Sequence, residues 1–251
     1  MDSLRNEQIA LADQVTQEFL AVFGSLNFKN IDYSSPGFVE AAISVAERGH
    51  RAGARIGSEM YLSMRTQAGV AGSFEVVAPE LDVSQLRRDL IALGPIAAKK
   101  LLSRGERIPD AAKSVFTLTA GRVATNALSG VRDTISATTL GDSQAVAYAR
   151  QPQGDACDFC IMLADNTYRD AFSAMYSAGN RKRNLKPQPM GATFHDHCRC
   201  TLKPLFASQV NMSIVPRTGS ARSFGAAWRS AHARGMTYDQ FLKQAGLKPG
   251  Y

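Results

Sequence analysis

The chain has 251 residues, 45% of them apolar, with 29 Lys and Arg against 22 Asp and Glu. That is enough chain to bury a core in one large domain or two small ones. No run of 18 uncharged apolar residues occurs, which excludes a spanning helix, and the start at Met1-Asp2-Ser3 lacks a basic and then apolar leader. The expectation is a soluble, intracellular protein with no membrane partner. The net charge of +7 is unevenly spread. Residues 1–180 hold 17 basic and 20 acidic side chains, and residues 181–251 hold 12 and 2. The last third is therefore strongly cationic, which suits a polyanion such as double-stranded DNA bound without sequence preference. A solvated, solubilising surface is the plainer reading of the same charge.

In chain order, Leu4, Leu11, Val15, Phe19, Val22 and Leu26 recur at helical spacing and predict a helix from Ser3 to Phe23. Asn27 to Pro36 reads as a turn-rich break. A longer helix is expected from Gly37 to Gln67. It carries Gly49, Gly53 and Gly57 four residues apart, each costing about 1 kcal/mol in a helix relative to alanine. Close approach of a second helix would offset that cost. Arg48, Arg51 and Arg55 on the same helix form a stripe that could meet phosphates, but Glu47 and Glu59 favour a solvated face. Ala68 to Leu81 reads as irregular, with Phe74–Val77 a candidate strand. Asp82 and Gln85 have the spacing of a capping box and start a third helix with a stripe at Leu86, Leu90, Leu93, Ala97 and Leu101. Gly94-Pro95 should kink or split that helix, and Gly105 should stop it. A fourth helix opens at Ile108-Pro109-Asp110 and is expected to reach Ile135.

The pattern changes near Gly141. Ala145–Arg150 reads as a strand, Asp170–Ala178 as a helix, Gly179–Gly191 as a polar loop and Phe194–Phe206 as an alternating strand. Helices are expected at Ser220–Arg234, around Phe224, Trp228 and Ala231, and at Thr237–Gly246. The fold class is α+β, mainly α. An antiparallel helical domain at 1–140 leads into a small α+β module at 141–206 and a basic tail with one or two short helices at 207–251.

All four cysteines lie in that module, as Cys157-x2-Cys160 and Cys198-x-Cys200, and His195 and His197 precede the second pair. Soft ligands at both ends of one segment predict a structural zinc ion that clips the ends together. The candidate ligands are Cys157, Cys160, His195, Cys198 and Cys200, five for four places, with His197 the outsider. Buried unliganded thiols, disulfides and a catalytic metal are the alternatives. A zinc deaminase is excluded, since the cysteines come first and no His-x-Glu occurs. A nuclease using His195, Asp196 and His197 is the enzymatic alternative. Arg181, Lys182, Arg183 and Lys186 in the polar loop are the candidate nucleic-acid contacts.

The order Cys157-x2-Cys160, a short helix, Thr167-Tyr168, a variable stretch and His195-x2-Cys198-x-Cys200-x3-Pro204 resembles the Mu F-like minor head proteins of tailed phages, especially their actinobacteriophage versions. The resemblance covers about residues 145–206. It implies a low-copy, non-enzymatic structural protein made in the host cytoplasm and carried in the phage head interior. Its implied partners are the portal protein, the major capsid or scaffold proteins and packaged DNA, and its implied task is to assist head assembly, packaging or ejection.

Overall fold

A computed structural model describes residues 2–151, 167–168, 198, 200–206, 234 and 240. These form five α-helices, one π-helical turn and three short strands. The fold is mainly helical, as expected for this α+β class.

Helix α1 spans Asp2–Phe23. It buries Leu11, Ala12, Val15 and Phe19 on the face that the apolar spacing marks. Helix α2, Ile31–Gln67, begins six residues earlier than expected and carries Pro36 inside it. Proline removes the hydrogen bond that its missing N–H would give to the carbonyl of Asp32. That carbonyl instead has the Ser35 hydroxyl 3.4 Å away. The break is tolerated because it lies within the first two turns. Phe38, Phe19, Phe23 and Phe116 then form an aromatic cluster, with edge-to-face rings whose centroids are 5.2 Å apart for Phe23 and Phe116 and 6.0 Å apart for Phe19 and Phe38.

Helix α3, Val83–Ile91, starts at Asp82, whose Oδ1 accepts the Gln85 N–H at 2.8 Å. Only this half of the capping box forms, because the Gln85 amide turns outward to Asp89. Leu86 and Leu90 are fully buried. At Pro95 the helix widens into a π turn, Ala92–Ile96, and continues as α4, Ala97–Ser103. The wider turn relieves the clash of the proline ring and inserts one residue into the register. Ala98, not the expected Ala97, is therefore the fully buried position. Gly105 ends the helix with φ of +85°, a conformation that glycine adopts without strain.

Helix α5, Ile108–Gly141, has Pro109 in its first turn and runs six residues past the expected end. Its buried middle is mostly Ala, Gly, Ser and Thr, with Val123, Leu128 and Val131 among them, and it lies directly on the glycine face of α2. A Cβ built on Gly53 would stand 2.7 Å from the Ala127 carbonyl oxygen, and one on Gly57 2.7 Å from that of Val131. Gly130 of α5 returns the same closeness, since its Cβ would fall against the His50 carbonyl. The glycine spacing in α2 thus marks a backbone-to-backbone contact with α5. The arginine stripe on α2 faces solvent, where Arg48 pairs with Glu18 at 2.9 Å and Arg55 with Glu59 at 2.8 Å.

Residues 74–77 are not a strand. Val77 makes a two-way bond with one side chain of α5, its N–H donating to Thr138 Oγ1 at 3.1 Å and its carbonyl accepting the hydroxyl at 3.3 Å. A single threonine there supplies what a strand partner would.

The three strands are β1, Ala145–Gln151, β2, Thr167–Tyr168, and β3, Thr201–Phe206. They form an antiparallel sheet in the order β2-β1-β3. The β1–β3 register pairs Tyr148 with Pro204 and Gln151 with Thr201. Pro204 is tolerated because β3 lies at an edge of the described sheet. The strand expected from Phe194 is shorter at its start, with Cys198 and Cys200 in non-strand backbone just ahead of β3. Leu202 and Phe206 of β3 belong to the same core as the helices, and the Phe206 ring meets Tyr61 of α2 at 5.8 Å. The helices expected at 170–178, 220–234 and 237–246 and the loop at 179–191 fall outside the described residues, apart from the single positions Arg234 and Gln240.

Candidate metal centre

Of the five candidate zinc ligands, the structure describes Cys198 and Cys200. Both are buried, at 3% and 2% exposure, and both join the core at the entrance to β3. Cys157, Cys160 and His195 lie outside the described residues. So do Asp196 and His197 and the basic cluster Arg181, Lys182, Arg183 and Lys186. Among the described residues no group of three or more His, Cys, Asp and Glu side chains comes together to hold a metal ion.

The cysteine pair is held from behind by a residue that belongs to no motif in the sequence. Arg132, in the middle of α5, is fully buried. Its Nε donates to the Cys200 carbonyl at 2.9 Å, and its Nη2 donates to the Cys198 carbonyl. A buried guanidinium is costly unless hydrogen bonds replace its hydration. Here two of its donors form a fork across the main chain of both cysteines. The partners are 66 and 68 residues apart in sequence, so helical periodicity alone could not reveal the pairing. The available signal was one arginine on the otherwise small and apolar run Ala127-Leu128-Ser129-Gly130-Val131.

A second set of buried polar contacts holds the junction of bundle and sheet. Asp142 follows α5 and accepts from Tyr61 Oη and Arg65 Nε, both at 2.9 Å on Oδ2, and from the Gln144 N–H at 2.9 Å on Oδ1. Burial pushes the Asp142 carboxyl up, but the hydrogen bonds from Gln144, Arg65 and Tyr61 outweigh it, so the group titrates below the usual carboxylate range. Burial raises the Tyr61 phenol, and its bond to Asp142 raises it further. Arg65 also donates through Nη1 to the carbonyls of Ala71 and Gly72, at 3.1 and 2.7 Å, which fastens the 68–81 connection.

The described residues hold one arrangement that superficially suggests catalysis. His50 is buried, its Nε2 donates to the Pro79 carbonyl at 2.9 Å, and Ser129 Oγ lies 3.1 Å from Nδ1. Burial raises the nearby Asp133 carboxyl, and His50, the Ser129 hydroxyl and Arg132 pull it partly back. The serine, not the histidine, is the middle member, and Ser129 is only 9% exposed. A nucleophilic triad needs the histidine between the other two. This set ties α2, α5 and the 68–81 connection together.

The fold and site together define a mainly helical protein whose central bundle carries a small sheet and a buried cysteine pair. The family model described as VG15 protein matches residues 1–214. The chain therefore belongs to the VG15 family, a family of viral and phage gene products, and is a phage-encoded protein. The match spans the helical bundle, the sheet and both cysteine pairs. No curated protein and no solved structure matches the chain. No helix among the described residues is long and apolar enough to cross a membrane.

Proposed function

We propose that this protein is a minor structural component of a tailed-phage head, of the Mu F-like type. In this reading it associates with the portal, contacts the major capsid or scaffold proteins during assembly, and meets packaged DNA inside the head. The observation that carries the reading is membership of a phage family across residues 1–214, the span that also holds the Cys-x2-Cys and His-x2-Cys-x-Cys pattern. The charge division supports it, with an acidic first part suited to a protein partner and a basic last third suited to DNA.

The module from 141 to 206 is read as clipped by zinc. Cys157, Cys160, Cys198 and Cys200 supply four sulfurs, and His195 is the candidate to replace one of them. The described half fits such a site. Two cysteines lie two residues apart, both are buried, and their main chain is fixed. A bound zinc ion would supply structural cross-linking between the two ends of the segment. The role is structural and not enzymatic.

Co-expression with the portal protein from the same genome tests the assignment. The expected result is a complex that survives size-exclusion chromatography. A protein that stays apart from the portal and from assembling heads would overturn it.

A further inference from the structure

We propose that Arg132 is a positioning residue for the Cys198–Cys200 half of the metal clip, coupling zinc binding to the helical bundle. The inference rests on the zinc reading above and goes beyond it, because it places a determinant of metal affinity on α5, outside the cysteine segment.

Three observations point this way. First, Arg132 is fully buried, so its charge needs dedicated hydrogen bonds. Second, Nε and Nη2 donate to the carbonyls of Cys200 and Cys198, the two cysteines themselves. A planar guanidinium presents these donors at a fixed separation, so one side chain sets the spacing and tilt of both peptide groups. With the main chain fixed, the two Cβ positions are fixed before any ion arrives. Third, Cys198 and Cys200 lie in non-strand backbone just ahead of β3, where an irregular main chain gains most from a fixed support. The fork from α5 supplies such a support to both carbonyls.

The energetic consequence is preorganisation. A ligand pair already held in place loses less conformational freedom when the ion binds. Residues that orient metal ligands without touching the metal typically set about 10- to 100-fold of metal affinity.

The test uses the full chain. Zinc content of the wild-type protein is measured by elemental analysis, and zinc affinity by competition with a chromophoric chelator. Arg132→Gln removes the fork, and Arg132→Lys keeps the charge without the planar pair of donors. Arg122→Gln, also on α5 but paired toward Asp89, is the control. Cobalt(II) substitution reports coordination geometry through its visible bands, which a purely structural role would leave unchanged in any folded variant.

The expected result is wild-type zinc at about one ion per chain, affinity lowered about 10- to 100-fold in Arg132→Gln, a smaller loss in Arg132→Lys, and no change in Arg122→Gln. Cobalt bands should weaken or shift only in the two Arg132 variants. Wild-type loading with an unchanged, folded Arg132→Gln overturns the positioning role alone. If Arg132→Gln fails to fold, Arg132→Lys decides, and wild-type affinity and bands in that variant overturn the role. A metal-free wild type overturns the clip and this role with it.

Discussion

One added methyl group on α2 should have opposite effects at two of its glycines. At Gly37 a Cβ would meet nothing within 4 Å. Gly37→Ala should therefore stabilise the protein by up to about 1 kcal/mol, through better helix propensity and a less disordered unfolded chain. At Gly53 the same methyl would lie 2.7 Å from the Ala127 carbonyl oxygen and 3.2 Å from the Val131 nitrogen. Both neighbours are helix backbone and cannot rotate away. Ordinary contact begins near 3.4 Å, so α5 must retreat by roughly 0.7 Å or the helices must splay. Overpacking of this kind costs about 1–3 kcal/mol, against which propensity returns about 1 kcal/mol. The net loss is up to about 2 kcal/mol. For a chain of this size that lowers Tm by a few degrees, at about 2–4 °C per kcal/mol. Because α5 has already moved in Gly53→Ala, the double change Gly53→Ala with Gly57→Ala should cost less than the sum of the two single changes. Thermal melts followed by far-UV circular dichroism read the wild type and the four variants. Gly53→Ala melting at or above Gly37→Ala would refute the close α2–α5 packing.

The Asp142 cluster and the basic loop give further tests. Asp142→Ala leaves the Arg65 guanidinium buried without its carboxylate and should cost about 3–5 kcal/mol, read by chemical denaturation. Because the folded pKa of Asp142 is depressed, its contribution is fully present above the unfolded value of about 3.9. It fades as pH falls from there through the lower folded value. The Tm gap between wild type and Asp142→Asn should therefore be widest near neutrality and close in acid, and a gap independent of pH would contradict the assignment. If the loop meets DNA, replacing Arg181, Lys182, Arg183 and Lys186 by alanine should flatten the plot of log affinity against log salt by roughly one unit per lost phosphate contact. An unchanged slope would place DNA contact elsewhere.

Most of the helical framework was legible because it depends on local signals. The apolar spacing of α1, Asp82 as a cap, Pro95 as a disruption and Gly105 as a stop each act within one or two turns. The Gly49-Gly53-Gly57 series was legible for a different reason, since three costly residues on one face need a shared tertiary cause. What escaped depends on distant partners or on how a local fault is absorbed. Pro36 reads as a break, yet α2 continues through it because the affected carbonyl lies near the helix start beside the Ser35 hydroxyl. Phe74–Val77 has the composition of a strand, but Thr138 satisfies its backbone. The π turn moves the buried position from Ala97 to Ala98, a shift visible only once the proline has been accommodated. In the candidate site, the Cys198–Cys200 pair stood out from its spacing, although the strand expected to carry both cysteines begins only at Thr201. Arg132 did not, because its partners are carbonyls, which carry no residue identity.

Mass spectrometry of purified phage particles from the genome that encodes this chain tests a place in the phage head most directly. The protein should be found in DNA-filled heads, at low copy number relative to the major capsid protein and retained after surface proteolysis. Its absence from purified particles, with the protein confined to the host lysate, would contradict a role in the phage head.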